Sequence, residues 1–250
     1  MAPDGGDRLV FAGDDFTGVA SADTTTVVAS ELGYRSYIDT GGTITQLADE
    51  TGGVVALTTD GTDEDEIWMG TGALGYISDT AGADFLTVFE ARYKLSSITN
   101  SVMSSFVGLA SPECAYTTNT MVDATGVLKV DNAFIGFDVL LDGDSIQFTY
   151  QAASQAVQQK IAGVHVPVAD DFVKLGFIYN PAAPADKRIK VFVNNTEQTT
   201  YVTATNIAAA TFPDAEALGM LAGFKNTTAA AGELAMDWWA FGQIVKPATN

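Results

Sequence analysis

The feature that most constrains this chain is a two-residue period in its apolar side chains. Residues 85–95 read FLTVFEARYKL, which places Phe85, Phe89, Ala91, Tyr93 and Leu95 on one face and Glu90, Arg92 and Lys94 on the other. A strand with one covered and one wet face produces that pattern, and a helix does not. The same alternation recurs at 105–110 (SFVGLA), 134–140 (FIGFDVL), 145–150 (SIQFTY), 172–179 (FVKLGFIY), 189–193 (IKVFV) and 235–244 (AMDWWAFGQI). Shorter runs at 54–59 (VVALTT), 34–40 and 8–11 are weaker strands. Between them lie turn residues: Asp142-Gly143-Asp144, Asn180-Pro181, Asn194-Asn195, Gly41-Gly42 and Gly52-Gly53. Such residues punctuate antiparallel hairpins. Two segments have a helical period. Residues 154–161 (SQAVQQKI) read as a helical turn or a polar strand, and 214–221 (DAEALGML) as a short surface helix after Pro213.

Many antiparallel strands joined by tight turns make a sandwich or a barrel. Aromatic side chains on the alternating faces fill the roughly 10 Å between two sheets. No repeat, linker or low-complexity break divides the chain. The expectation is a single domain over residues 1–250, with a core from about 9 to 245 and a short flexible N-terminal end.

Composition narrows the function classes. The 250 residues include 12 Lys+Arg against 31 Asp+Glu, a formal net charge of -19. Nucleic-acid binding draws its affinity from Lys and Arg neutralising phosphates, so no nucleic-acid partner is expected. Disorder needs low hydrophobicity with dense charge, whereas here 47% of residues are hydrophobic and 17% charged. No stretch approaches the roughly 18–20 apolar residues of a membrane span, so no membrane is expected. The first residues lack the basic start and apolar run of a signal peptide, which leads us to expect a chain made and folded in cytoplasm. The one cysteine, Cys114, excludes an internal disulfide and a cysteine-based zinc site, and is expected to be a small buried or half-buried residue. Asn194-Asn195-Thr196 and Asn226-Thr227-Thr228 match a glycosylation pattern but are read as chance or turn chemistry.

Few residues offer chemistry. The run Asp60-Gly61-Thr62-Asp63-Glu64-Asp65-Glu66 is the densest acidic stretch. Hard cations want six to eight oxygens, which makes Asp60, Asp63 and Asp65 candidate calcium ligands against the plainer reading of a solvated acidic loop. The EF-hand spacing is absent. Paired carboxylates hydrolyse glycosides, and Asp63, Asp65, Glu90, Asp138 and Asp237 are available. None falls in the Glu-x-Asp-x-x-Glu pattern of retaining glucanases. His165 is the only histidine and is expected to be structural. Trp68, Trp238 and Trp239 are candidate interface or glycan platforms; adjacent Trp238 and Trp239 must face opposite sides of one strand. No Walker pattern, dinucleotide glycine motif or nucleophile elbow is present, and no cofactor other than calcium is called for.

Several segments together resemble a known group. They are Asp14-Asp15-Phe16, Gly52-Gly53-Val54-Val55-Ala56-Leu57-Thr58-Thr59, Phe89-Glu90-Ala91-Arg92-Tyr93-Lys94-Leu95 and Phe106-Val107-Gly108-Leu109-Ala110. Further on come Ile135-Gly136-Phe137, Val173 to Tyr179, Ile189 to Asn194, and Asp237-Trp238-Trp239. Their order resembles tailed-bacteriophage virion proteins with a concanavalin A-like (laminin-G-like) jelly roll. The resemblance implies an all-β sandwich of two antiparallel sheets. It implies a non-enzymatic head decoration or cement protein on the capsid surface of a virion, with the major capsid protein as partner and copies of itself as neighbours. The alternative it leaves open is a carbohydrate-binding module or a fibre or adhesion component. It carries no catalytic residue.

Overall fold

Alternation and turn chemistry build the strands where the sequence places them, and the computed structural model pairs them into two sheets. It describes residues 8–17, 26–27, 33–47, 52–77, 85–98, 102–116, 118, 121–129, 131–140, 143–155 and 159–245. The expected flexible N-terminal end, residues 1–7, lies outside them. In chain order the strands are β1 (Arg8–Asp14), β2 (Thr26–Val27), β3 (Arg35–Ile38), β4 (Thr43–Gln46), β5 (Val55–Thr58), β6 (Glu66–Gly70), β7 (Gly75–Tyr76), β8 (Phe85–Leu95) and β9 (Met103–Ala110). They continue with β10 (Phe134–Val139), β11 (Ile146–Gln151), β12 (Gln159–His165), β13 (Val173–Tyr179), β14 (Ile189–Val193), β15 (Thr196–Glu197), β16 (Ala217–Asn226) and β17 (Glu233–Val245). A 3-10 turn at Pro112–Ala115 and the one-turn helix α1 (Ala204–Ile207) complete the described elements.

The first sheet runs β15-β14-β13-β8-β17-β5-β4, with β1 also paired to β17. The second runs β12-β11-β10-β9-β16-β6-β3-β2, with β7 beside β16. Every named pairing is antiparallel. Strand β17 is long enough to take β5 along its first half and β1 along its second. The expected hairpins are present: β10 pairs β11, and β13 pairs β14. Asn194 and Asn195 both sit at positive φ (47° and 68°) between β14 and β15. That is the geometry a two-residue hairpin turn demands and asparagine tolerates.

The inward faces meet in one apolar core. Phe89 and Phe177 of the first sheet and Phe148 and Phe137 of the second form a chain of rings with centroids 5.8, 5.3 and 5.4 Å apart. Rings at that spacing add specific edge and offset contacts to the area they bury.

A second apolar cluster lies on the other side of the second sheet. Trp68, Phe106, Phe134 and Leu221, which alternate with the inward residues of β6, β9, β10 and β16, pack there against Cys114, Ala115, Met121, Val122 and Leu128. The latter five belong to an excursion within 111–129, whose described residues 111–116, 118 and 121–129 cross that face. It is pinned by Ser111 N donating to Ala133 O (2.9 Å), Lys129 N to Met121 O (3.0 Å) and Ser104 Oγ to Gly126 O (2.8 Å). Four strands are therefore buried on both faces, as happens where a sheet is covered twice.

That double burial explains the main correction to the sequence reading. Residues 214–221 are not a surface helix; Ala217 onward is strand β16, buried at every position from Leu218 to Asn226. Covered on both faces, this strand shows no apolar-polar alternation to mark it. Of the two readings of 154–161, the strand is the one found at its end: Ser154 is in a turn, 156–158 lie outside the described residues, and Gln159 starts β12, at whose end His165 stands.

Candidate functional site

The acidic run does not behave as one solvated loop. Asp60 opens it with an Asx turn, its Oδ1 accepting from Thr62 N at 2.9 Å. Gly61 and Glu64 take positive φ (95° and 67°), which curls the chain back. Asp65 thereby becomes only 5% exposed, and Glu66 is fully buried as the first residue of β6. Asp65 Oδ2 meets no donor, because the group beside it is the Asp60 carboxyl, another acceptor. Two such groups bond only by sharing a proton. Burial, then the Asp60 neighbour, pushes the Asp65 carboxyl up to about 7. The bond to Asp65, then the Thr62 amide, holds Asp60 below its ordinary value. Asp63 is exposed, and among the described residues no three His, Cys, Asp or Glu side chains are grouped to hold a metal ion. The structure brings two of the three candidate calcium ligands together, and it brings them together as an acid pair.

Glu66 is held by Trp68 Nε1 at 2.9 Å and Thr118 Oγ1 at 2.6 Å. It stands opposite Lys225, itself buried, in the β6–β16 register. Trp68 therefore packs in the second cluster and has no face free for a ligand. Trp239 is equally buried: its Nε1 donates to Tyr34 Oη at 2.9 Å, and Tyr34 donates to Asp14 Oδ2 at 2.8 Å. Phe16 closes this group, with ring centroids 5.6 Å from Trp239 and 5.9 Å from Tyr34. Trp238 is the half-buried one of the three and points outward, with the Lys174 ammonium 5.9 Å from its ring centroid. The two neighbouring tryptophans do face opposite sides. A bulge between Met236 and Trp238 sets which side each takes, and it turns Asp237 toward an ion pair with Arg92.

With the second sheet covered, the outer face of the first sheet is the open one. Register places Leu9, Ile244 and Leu86 in one row across it. The next row is Phe11, Gly242, Val88 and Ile178, and a third is Gly13, Ala240, Glu90, Gly176 and Phe192. Leu9 and Phe11 are each 69% exposed. Gly242 has open space where a Cβ would stand. Val88, Ile178, Phe192, Gly176, Glu90 and Asn195 line a half-open hollow of about 260 Å³. Among the described residues three ion pairs lie on this face, Lys174 with Glu90 at 2.8 Å, Lys190 with Glu197 at 3.0 Å, and Arg92 with Asp237, and Lys94 lies over the Phe172 ring.

Sequence reasoning named the flanking strands but not this surface. Its one available signal was the run Leu9-Val10-Phe11, apolar on both parities. Of the carboxylates considered for glycoside hydrolysis, Glu90 and Asp237 are held by cations, and Asp138 is buried with Thr149 Oγ1 donating to it. His165 is half-buried, and loss of water lowers its pKa. Cys114 is buried as expected, which pushes its thiol up to about 12.

No protein-family model matches the chain, and no curated protein matches it in sequence. Solved structures do match its fold. Peanut lectin, solved with a nine-residue peptide, superposes with a TM-score of 0.56 at 11% identity, over 95% of this chain and 99% of the lectin. A protein of unknown function from Shewanella oneidensis MR-1 gives 0.54 at 15% identity, over 93% and 88%. A non-specific endo-β-1,3(4)-glucanase of family GH16 gives 0.53 at 11%, over 95% and 91%. The chain is thus an all-β, concanavalin A-like jelly-roll sandwich, and at these identities the likeness is one of fold.

Proposed function

We propose that this jelly roll is a non-enzymatic structural protein of a bacteriophage particle, a head decoration or cement protein seated on the major capsid protein at the capsid surface and made in the host cytoplasm. One observation carries the reading: one broad face of the sandwich is packed by the chain itself, and the other is an apolar surface whose charges are paired. The excursion 111–129 fills the outer face of the second sheet with its own side chains. On the outer face of the first, Glu90, Asp237 and Glu197 are held by Lys174, Arg92 and Lys190. A shell protein needs stable surfaces repeated many times, where avidity multiplies modest contacts. The acid excess of the rest of the molecule suits docking on basic patches of a shell subunit, which favours encounter and register. The test is to image infected-cell particles and count copies. Heads carrying a fixed number of copies, with heads lacking the protein breaking at lower temperature, support the reading. A chain found only in the soluble fraction overturns it.

Trp238 favours a second reading, a carbohydrate-binding module or adhesion component, because its ring reaches the open face beside Lys174. Glycan-array binding lost in Trp238→Ala supports that reading, and a flat array with folded protein removes it.

A further inference from the structure

We propose that two copies of this chain associate face to face through the outer surface of the first sheet, with Phe11 of each seated in the hollow of the other. The inference stands on geometry and charge alone, and holds whether or not the chain coats a particle.

The surface carries a knob and a hole at the same level. Phe11 on β1 is 69% exposed, with one edge of its ring lying over Gly13 of the same strand and the rest open to water. The hollow is centred on β13, between Val88 of β8 and Phe192 of β14. Three inter-strand steps separate them, about 14 Å at the usual sheet spacing. Phe11, Val88 and Ile178 share one register row, so knob and hole lie level along the strands. A two-fold axis parallel to the strands, running between β17 and β8, then sets each Phe11 opposite the other copy's hollow. This is the self-complementary condition a two-fold contact must meet. Near the axis Gly242 of one copy opposes Val88 of the other. Gly242 has no atom within 4 Å of where its Cβ would be, which leaves room for the valine methyl groups.

Charge selects a second copy over other partners. A chain of net charge -19 repels its own kind over most of its surface. On this face Arg92, Lys174 and Lys190 each bond an acid of the same face and Lys94 lies over the Phe172 ring, so it presents apolar area with little net field. A basic partner gains more from the acidic loops elsewhere. An apolar, locally neutral surface fits best against another that is equally apolar and neutral, and exposed apolar patches of this kind mark contact sites.

Sedimentation velocity over a concentration series tests this with the full chain. The wild type is expected to dimerise, and more tightly as salt rises, because salt screens the repulsion between the two acidic bodies. Gly242→Glu places a charge in the centre without touching the chain's own atoms, and Phe11→Ser removes the knob. Each is expected to raise the dimer dissociation constant about tenfold or more, the scale set by losing one buried phenyl group. Val166→Ser, an exposed apolar residue beyond β12, leaves it unchanged. A wild type that stays monomeric at every concentration overturns the proposal. So does a dimer that tolerates both face variants, one weakened by Val166→Ser, or one that weakens as salt rises. A failed particle assay with an intact solution dimer sinks only the particle reading.

Discussion

Asp65 loses most of its water to the turn that carries it, and its nearest polar neighbour is a second carboxyl. Its folded value near 7 lies above the 3.8 of an ordinary aspartate. The sign follows from linkage: the folded state holds a proton that the unfolded chain releases earlier, so Asp65 supports the fold at low pH and the support is lost as pH climbs from about 4 to 7. Asp65→Asn keeps a donor for Asp60 at every pH. Urea unfolding at a series of pH values should show a decline over that window in the wild type and a flatter profile in the variant. The same proton-sharing predicts that calcium and a chelator give equal melting midpoints, since a tight native-state ligand has to raise the midpoint by mass action. Tyr34 is the other residue with an outsized role. Burial raises its phenol above the ordinary value, so it stays a donor to Asp14 while accepting from Trp239. Tyr34→Phe keeps the rings and strands both partners. A loss of about 1–3 kcal/mol in unfolding free energy is expected, the cost of leaving buried polar groups unmade.

At the scale of elements, the second sheet is built around close approach. The β9–β10 register sets Gly108 opposite Gly136, and a Cβ on Gly136 would stand 2.7 Å from Gly108 Cα and 2.8 Å from the tip of the Phe106 ring. Phe106 lies across the two glycines and meets Phe134 edge-on, with centroids 5.6 Å apart, beneath the excursion. Gly136→Ala should cost about 1–3 kcal/mol by overpacking. Gly242→Ala, on the open face, should stay within about 0.5 kcal/mol of wild type. Thermal melts of the pair separate a packing role from an effect common to strand glycines. The β17 bulge works at this scale too, since one inserted residue decides that Trp239 enters the core and Trp238 leaves it.

At the scale of the molecule, the charge of -19 is a cost that the fold carries at neutral pH. Lys225 is buried opposite Glu66, and Lys174 and Lys190 are held in ion pairs on one sheet face. The acid excess is left to the remaining surface, where like charges repel. The melting midpoint should therefore rise with monovalent salt, as screening shortens the reach of that repulsion to about 8 Å near physiological strength. A midpoint indifferent to salt would mean that the acids stand too far apart to interact.

Period and turn chemistry are local, and that is why the sequence by itself determined the all-β class, the bounds of β8 and β14 and the asparagine hairpin after Val193. Each of those strands has a wet face to mark its alternation. Strands β6 and β16 had no such mark, because the excursion 111–129 covers their second face, and a residue can be recognised as doubly covered only once its cover is in place. The functional candidates divided along the same line. That Trp238 and Trp239 part to opposite sides follows from strand geometry alone; which one is buried depended on a bulge between β17 and β8. Asp60, Asp63 and Asp65 look equivalent in the chain, and the left-handed turns at Gly61 and Glu64 are what pair two of them and leave the third in water. The row of Phe11, Gly242, Val88 and Ile178 is assembled from four strands spread over more than two hundred residues, and only the antiparallel register sets them side by side.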